Sequence, residues 1–243
     1  MQREYHKWHS DTLGRDMEML VFGHGGAKAL CFPTSQGRFF DWEDRGMTEV
    51  LNEHLENGWI QLFCLDSVDA ESWYNGSVHP SQRGARHLAY QQYVIDEVLP
   101  FSRQMNDNSY TIALGASFGA YHAINIALRF PEHFNRTLGM SGVYDIADWT
   151  GGYYDDGIHQ GNPVELTRRM HDAPEHVKKL NDLEIIFATG ESDSAYSQSL
   201  SLSQNLWDIG VWHAFRTWSG YAHDWPEWKE MILHYVGGPD SGN

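Results

Sequence analysis

Residues 109–130 read SYTIALGASFGAYHAINIALRF, and this stretch decides the fold. Its first half, from Tyr110 to Ala116, is a short apolar run ended by small residues, as in a buried strand. Its second half sets Ala120, Ala123, Ile124, Ala127 and Leu128 at the i, i+3, i+4, i+7, i+8 spacing of a helix with one buried stripe. Between the two halves lies Gly115-Ala116-Ser117-Phe118-Gly119. A bare G-x-S-x-G is a weak signal in a chain with 23 glycines, but its position between strand and helix makes it a strong one. The turn holds the serine in strained backbone geometry, and side chains at the flanking positions would collide with neighbouring backbone. Ser117 is therefore expected to project above the edge of a sheet.

The same alternation extends in both directions. Short apolar runs ended by Gly, Ser or Asp recur as MEMLVFG, KALCFPT, WIQLFCLD, RTLGMSG, EIIFATG and WHAFRTW, and EYHKWHS before them is joined by a polar turn, as in an edge hairpin. Helical spacing returns in Met47, Val50, Leu51 and Leu55, and in Trp228, Met231, Ile232, Tyr235 and Val236. A longer helix is predicted from Gly84 to about Asn106, kinked or shortened at Pro100. Strands alternating with helices imply an α/β fold with a mainly parallel eight-stranded sheet covered on both faces, because parallel strands need crossover connections. The 243 residues are read as one domain, 1–243. One stretch, 145–183, is too long for a simple crossover. It is read as a short cap insertion, with an ordinary surface excursion as the other reading.

Composition narrows the function. Lys plus Arg is 17 against 33 for Asp plus Glu, a net charge of −16, which opposes nucleic-acid backbones and anionic membranes. No nucleic-acid or membrane partner is expected. The opening MQREYHKWHSDTLGRDMEM has no apolar stretch of signal-peptide length, and no run approaches the roughly 18 apolar residues of a membrane span, so a cytoplasmic location is expected. Cys31 and Cys64, the two cysteines, sit in strand-like runs without metal or redox spacing and read as buried thiols. With no H-E-x-x-H and no cysteine cluster, neither a metal nor a cofactor is expected.

A serine hydroxyl needs a base to take its proton, and the base needs an acceptor that fixes its tautomer. Of 14 histidines, His223 alone lies just past the last predicted strand and before the final helix. His24, His122 and His133 read as structural or exposed. After the seventh strand comes Gly190-Glu191-Ser192-Asp193. Asp193 stands further out, where the loop can turn toward His223, and is favoured as the acid, with Glu191 as its rival. The order Ser117, Asp193, His223 is that in which α/β-hydrolases supply a catalytic triad. The Phe118 amide, at the start of a helix, is one expected oxyanion donor. The second is placed at Ser35, in the loop Cys31-Phe32-Pro33-Thr34-Ser35-Gln36-Gly37, with Gln36 close behind. Gln36, Trp73, Tyr74 and Trp225 are candidates for the substrate pocket, and Tyr153 and Tyr154 lie in the cap; packing under loops is the competing reading for each ring.

GASFGA at the elbow, RFPEHF after the next helix, G-E-S-D after strand seven and GYAHDWPEW around the base together resemble the esterase group of α/β-hydrolases that includes esterase D-like enzymes, enterochelin and feruloyl esterases and the mycobacterial mycolyltransferases. The likeness covers nearly the whole length. It implies the α/β-hydrolase fold and a serine hydrolase cleaving a carboxylic ester through an acyl-enzyme intermediate, and it supports Asp193 and His223 as the acid and base. The chain departs from the commoner elbow at Ala116 and Ala120, neither a catalytic position. A small-molecule ester is the expected partner, with self-association left open. An acyltransferase using the same triad, or a non-catalytic binding protein on this fold, are the alternatives.

Overall fold

The computed structural model describes residues 1–237. Eight strands form one sheet: β1 (Arg3–Ser10), β2 (Arg15–Phe22), β3 (Ala27–Phe32), β4 (Ile60–Leu65), β5 (Thr111–Ala116), β6 (Arg136–Met140), β7 (Glu184–Gly190) and β8 (Ala214–Trp218). Their spatial order is β1-β2-β4-β3-β5-β6-β7-β8. The β1–β2 hairpin and the β2–β4 pair are antiparallel and the rest are parallel, as the alternation of strands and helices predicts.

Successive side chains of a strand point to opposite faces, so β3 sends Leu30 and Phe32 into one core layer and Ala29 and Cys31 into the other. The first layer lies under the helices Pro80–Tyr93, Phe118–Arg129 and Tyr196–Asp208, and the second under the segment around Met47–Leu55 and the final helix Trp225–Tyr235. Cys31 and Cys64 are free, buried and opposite one another on β3 and β4. Among the described residues, no helix is long and apolar enough to cross a membrane.

Three helices differ from their sequence reading. The helix expected from Gly84 starts at Pro80, where the His79 ring accepts the Ser81 N–H. It runs through a π-helical stretch, Val94–Val98, into Leu99–Met105. Pro100 has no N–H to give to the preceding turn, and the wider stretch ahead of it keeps the helix continuous rather than ended. The predicted helix over Met47, Val50, Leu51 and Leu55 is instead two short helices, Met47–Val50 and Asn52–Glu56, broken at Leu51. The helix Phe118–Arg129 is buried all round from Phe118 to Leu128 rather than along one stripe. Its outer face is covered by the segment 145–183, a run of short helices: Tyr121 Oη donates to the Gly161 carbonyl (2.6 Å), Asn125 Nδ2 to the Gln160 carbonyl (3.0 Å) and Arg129 to Gln160 Oε1 (2.7 Å).

Candidate active site

The site lies at the C-terminal ends of β5, β7 and β8. Ser117 follows β5 directly, with φ 54° and ψ −119°, a backbone conformation that a non-glycine residue holds only when its surroundings enforce it. Two contacts explain the enforcement. The Ser117 N–H continues the ladder to the Met140 carbonyl of β6 (2.8 Å), and the turn is compressed from both sides. A Cβ at Gly115 would lie 2.3 Å from the Gly119 carbonyl, and one at Gly119 would lie 2.4 Å from the Phe32 carbonyl oxygen. The loop after β3 therefore presses on the first turn of the helix that carries the serine. Gly119→Ala is expected to push the two apart at a loss of about 1–3 kcal/mol of stability, the usual range for overpacking; urea unfolding beside the wild-type protein measures it.

His223 Nδ1–H donates to Asp193 Oδ2 at 2.7 Å, and Ser117 Oγ lies 3.0 Å from His223 Nε2. The three side chains that the sequence singles out thus meet in one line of hydrogen bonds. The loop carrying Asp193 is tied to the loop before His223 by Glu191 N–H to the Trp218 carbonyl (2.9 Å) and Ser192 N–H to the Gly220 carbonyl (2.8 Å). The rival Glu191 gives only its backbone to this junction, and its side chain is exposed. Asp193 is buried and also accepts from Thr189 Oγ1 (3.2 Å) and the Ala195 N–H (2.9 Å). Burial pushes its carboxyl up, but the hydrogen bonds from His223, the Ala195 amide and Thr189 outweigh that and hold it below the usual carboxylate range.

The imidazole is braced by residues the sequence reading did not single out. The Trp228 ring stands edge-on to His223 at 5.4 Å, and its indole N–H donates to Ser141 Oγ (3.0 Å). Ser141 in turn donates to the carbonyl of Ala222 (2.7 Å), a residue at φ 42° immediately before the histidine. Tyr221, exposed, stacks on the His223 ring at 5.6 Å. A sequence signal existed for Trp228, which opens the buried stripe of the final helix, but the stripe alone does not say that its edge touches the histidine.

The helix Phe118–Arg129 presents its positive end here. The Phe118 N–H is one of the helix's unpaired donors, while the Ala120 and Tyr121 amides are bonded to the Ser117 carbonyl. In the loop after β3, the Thr34 N–H goes to Asp41 Oδ2 (2.9 Å) and the Gln36 N–H to Asp69 Oδ2 (3.0 Å). Among the described residues the Ser35 N–H has no such partner, which separates the two amides that the sequence leaves together.

The aromatic candidates divide. Tyr74 stands at the rim: its hydroxyl donates to Ser35 Oγ (2.7 Å), and its ring meets Phe118 and Trp149 edge-on at 5.3 and 4.9 Å. Burial pushes its phenol up, so it stays a donor. Trp149, from the segment 145–183, stacks on Phe118 at 4.9 Å and was not among the sequence candidates. Trp73 is a correction: it is buried, its indole N–H donates to Tyr121 Oη (2.8 Å), and it packs in the core rather than facing a ligand. Trp225 packs on Trp228 at 5.2 Å, one ring removed from the imidazole, with the Arg45 guanidinium over its face. The Gln36 side chain is exposed. Of the histidines set aside, His122 is buried beside the elbow and bonded to Asp69. A cavity of about 330 Å³ lined by His54, Trp59, Tyr110 and Arg136 lies at the opposite, N-terminal strand ends.

Residues 64–234 match the family described as Putative esterase. No curated protein matches the chain in sequence. Among solved structures, a ferulic acid esterase is similar at 15% identity and TM-score 0.75, over 97% of this chain and 96% of that one. An S-formylglutathione hydrolase from Agrobacterium tumefaciens is similar at 16% identity and TM-score 0.72, over 95% and 91%. The fluorophosphonate-binding serine hydrolase F of Staphylococcus aureus is similar at 17% identity and TM-score 0.66, over 95% of each chain. At these identities the structural likeness establishes the α/β-hydrolase fold.

Proposed function

The chain belongs to that esterase family and is a carboxylic-ester hydrolase, and from this premise we propose that it works through an acyl-enzyme intermediate on Ser117, with His223 as the base and Asp193 as the acid that orients it. The observation that carries the reading is the unbroken path from Asp193 Oδ2 through His223 to Ser117 Oγ, at 2.7 and 3.0 Å. In this reading His223 Nε2 takes the hydroxyl proton as Ser117 Oγ attacks the ester carbonyl. Asp193, ionised through the neutral range because its carboxyl is held low, keeps the other imidazole proton on Nδ1 and steadies the cation that forms.

The negative charge of the tetrahedral intermediate is received by the Phe118 N–H and the Ser35 N–H, one from the helix end and one from the loop after β3. Collapse expels the alcohol, which takes the proton from His223. Water then attacks the acyl group with His223 again as base, and Ser117 leaves with its proton restored. Tyr74 and Trp149, both partly buried and packed on the buried Phe118 ring, form an aromatic wall beside the nucleophile that would pack against the acyl or alcohol part of a small-molecule ester.

The test is turnover of p-nitrophenyl acetate, butyrate and octanoate by the purified protein, followed from the first milliseconds. Release of one p-nitrophenol per active site ahead of the steady state is the expected result, because the good p-nitrophenolate leaving group makes acylation faster than the hydrolysis of the acyl-enzyme that follows it. Steady turnover of none of the three esters would refute the reading.

A further inference from the structure

Asp69 and His122 form a buried pair that the proposed reaction does not use directly. Asp69, in the turn after β4, has no solvent exposure, and His122 is 1% exposed. Asp69 Oδ1 accepts from His122 Nε2 at 2.8 Å, and Oδ2 accepts from the Gln36 N–H at 3.0 Å. One carboxylate thus joins the helix that carries the Phe118 amide to the loop that carries the Ser35 amide. His122 stands one helical turn after Phe118, and its ring is boxed in by Phe118 (5.1 Å, edge-on), Tyr90 (5.3 Å, edge-on) and Phe32 (5.9 Å, stacked). It has no freedom to swing away. The hydrogen-bonded proton lies on Nε2, since the carboxylate needs a donor there and Nδ1 has no partner among the described residues.

The loop end of this link is under strain. Gly37 N–H closes a turn on the Thr34 carbonyl (2.8 Å), and Gln36, its third residue, has φ 55°, a position that ordinarily takes Gly or Asn. A glutamine there needs an external hold on its peptide, and the Asp69 carboxylate, accepting the Gln36 N–H, supplies it. The backbone of Asp69 adds a second grip: its carbonyl accepts the Tyr74 N–H (3.0 Å), and the Tyr74 hydroxyl holds Ser35 Oγ (2.7 Å). Ser35 is fixed from its side chain and from the residue after it, and its own N–H has no partner among the described residues.

We propose that Asp69, with His122, is a positioning residue for ester hydrolysis: it sets the spacing between the Ser35 and Phe118 amides, and so the fit of the site to the oxyanion rather than to the ground-state ester. This rests on the reading given under Proposed function. Donors held where charge develops act on kcat far more than on substrate binding.

Asp69→Leu keeps the branched four-atom skeleton of the side chain and removes both acceptor oxygens. Asp69→Asn can restore both contacts, its oxygen taking the Gln36 N–H and its amide donating to His122 Nε2 once the imidazole proton moves to Nδ1. The experiment measures kcat and KM for p-nitrophenyl acetate per active site, with sites counted by complete fluorophosphonate labelling, and the affinity of an aryl trifluoromethyl ketone, which forms an oxyanion on the serine. For Asp69→Leu the expected result is a fall in per-site kcat of about 10- to 100-fold, short of losing a donor outright, with KM within about twofold and ketone affinity falling in parallel. Asp69→Asn is expected to recover to within about fivefold of wild type. A merely structural role would reduce the number of labelled sites and leave kcat per site unchanged.

Per-site kcat of Asp69→Leu within twofold of wild type, ketone affinity unchanged, or Asp69→Asn as impaired as the leucine variant would each overturn the proposal. If Asp69→Leu does not fold, His122→Leu, which cuts the link at the helix end, is read by the same criteria. A wild-type protein that neither turns over the ester nor takes the label would instead defeat the serine-hydrolase reading itself.

Discussion

Ser117→Ala is expected to lower kcat on a p-nitrophenyl ester by about 10⁴- to 10⁶-fold, with KM changed little, because removing the nucleophile disables the whole proton-transfer unit at once. The effect should be chemical rather than structural. Alanine keeps the backbone, and the serine backbone carries the elbow's structural bonds: its N–H to the Met140 carbonyl and its carbonyl from the Ala120 and Tyr121 amides. Its side-chain hydroxyl is bonded to His223. The variant should therefore unfold at the same denaturant concentration as wild type to within a few tenths of a molar. The residual rate, from binding and the oxyanion donors alone, should no longer show a burst of p-nitrophenol.

Asp193→Asn is the second large effect, expected at about 10⁴-fold in kcat. The side chain is nearly the same size, and its oxygen, placed at the Oδ1 position, keeps the contact with the Ala195 amide. The difference lies at Oδ2, where an amide nitrogen would donate to His223 Nδ1. The imidazole proton then sits on Nε2, facing Ser117 Oγ, and the ring can no longer accept the hydroxyl proton. kcat measured beside a nitrogen-detected spectrum of the histidine tautomer checks both halves: a rate within tenfold of wild type, or an unchanged tautomer, would contradict the role. Glu191→Gln, at the exposed rival position, should leave kcat within about twofold, as surface changes away from such networks usually do.

The parts of this architecture that were legible in the sequence were those written in one local stretch. The elbow needs a strand, a turn that excludes Cβ atoms and a helix, all within residues 109–130. Asp193 and His223 each follow a strand end. The sheet came through because apolar runs ended by Gly, Ser or Asp are local. What escaped was made by segments far apart in the chain. Asp69 reaches 33 residues back to Gln36 and 53 forward to His122, and Ser141 holds the carbonyl of Ala222 across 81.

His122 read as a structural histidine, and nothing near it shows that its partner also grips the loop carrying Ser35. Trp73 and Tyr74, adjacent in sequence, could not be told apart by position: one turns into the core onto Tyr121 and the other out to Ser35. The buried polar side chains of the helix Phe118–Arg129, such as Asn125, break an apolar stripe on paper. Their partners come from segments far off in the chain: Asn125 Nδ2 donates to the Gln160 carbonyl in the segment 145–183, and its Oδ1 is bonded to His87 of the helix Pro80–Tyr93.

The most direct test of the central claim is covalent labelling of the folded wild-type protein with a fluorophosphonate, followed by digestion and mass spectrometry. One adduct per chain, on the peptide containing Ser117, formed in step with loss of esterase activity and absent from Ser117→Ala, is the result this account predicts. An active esterase that takes no label, or takes it on a residue other than Ser117, would contradict it.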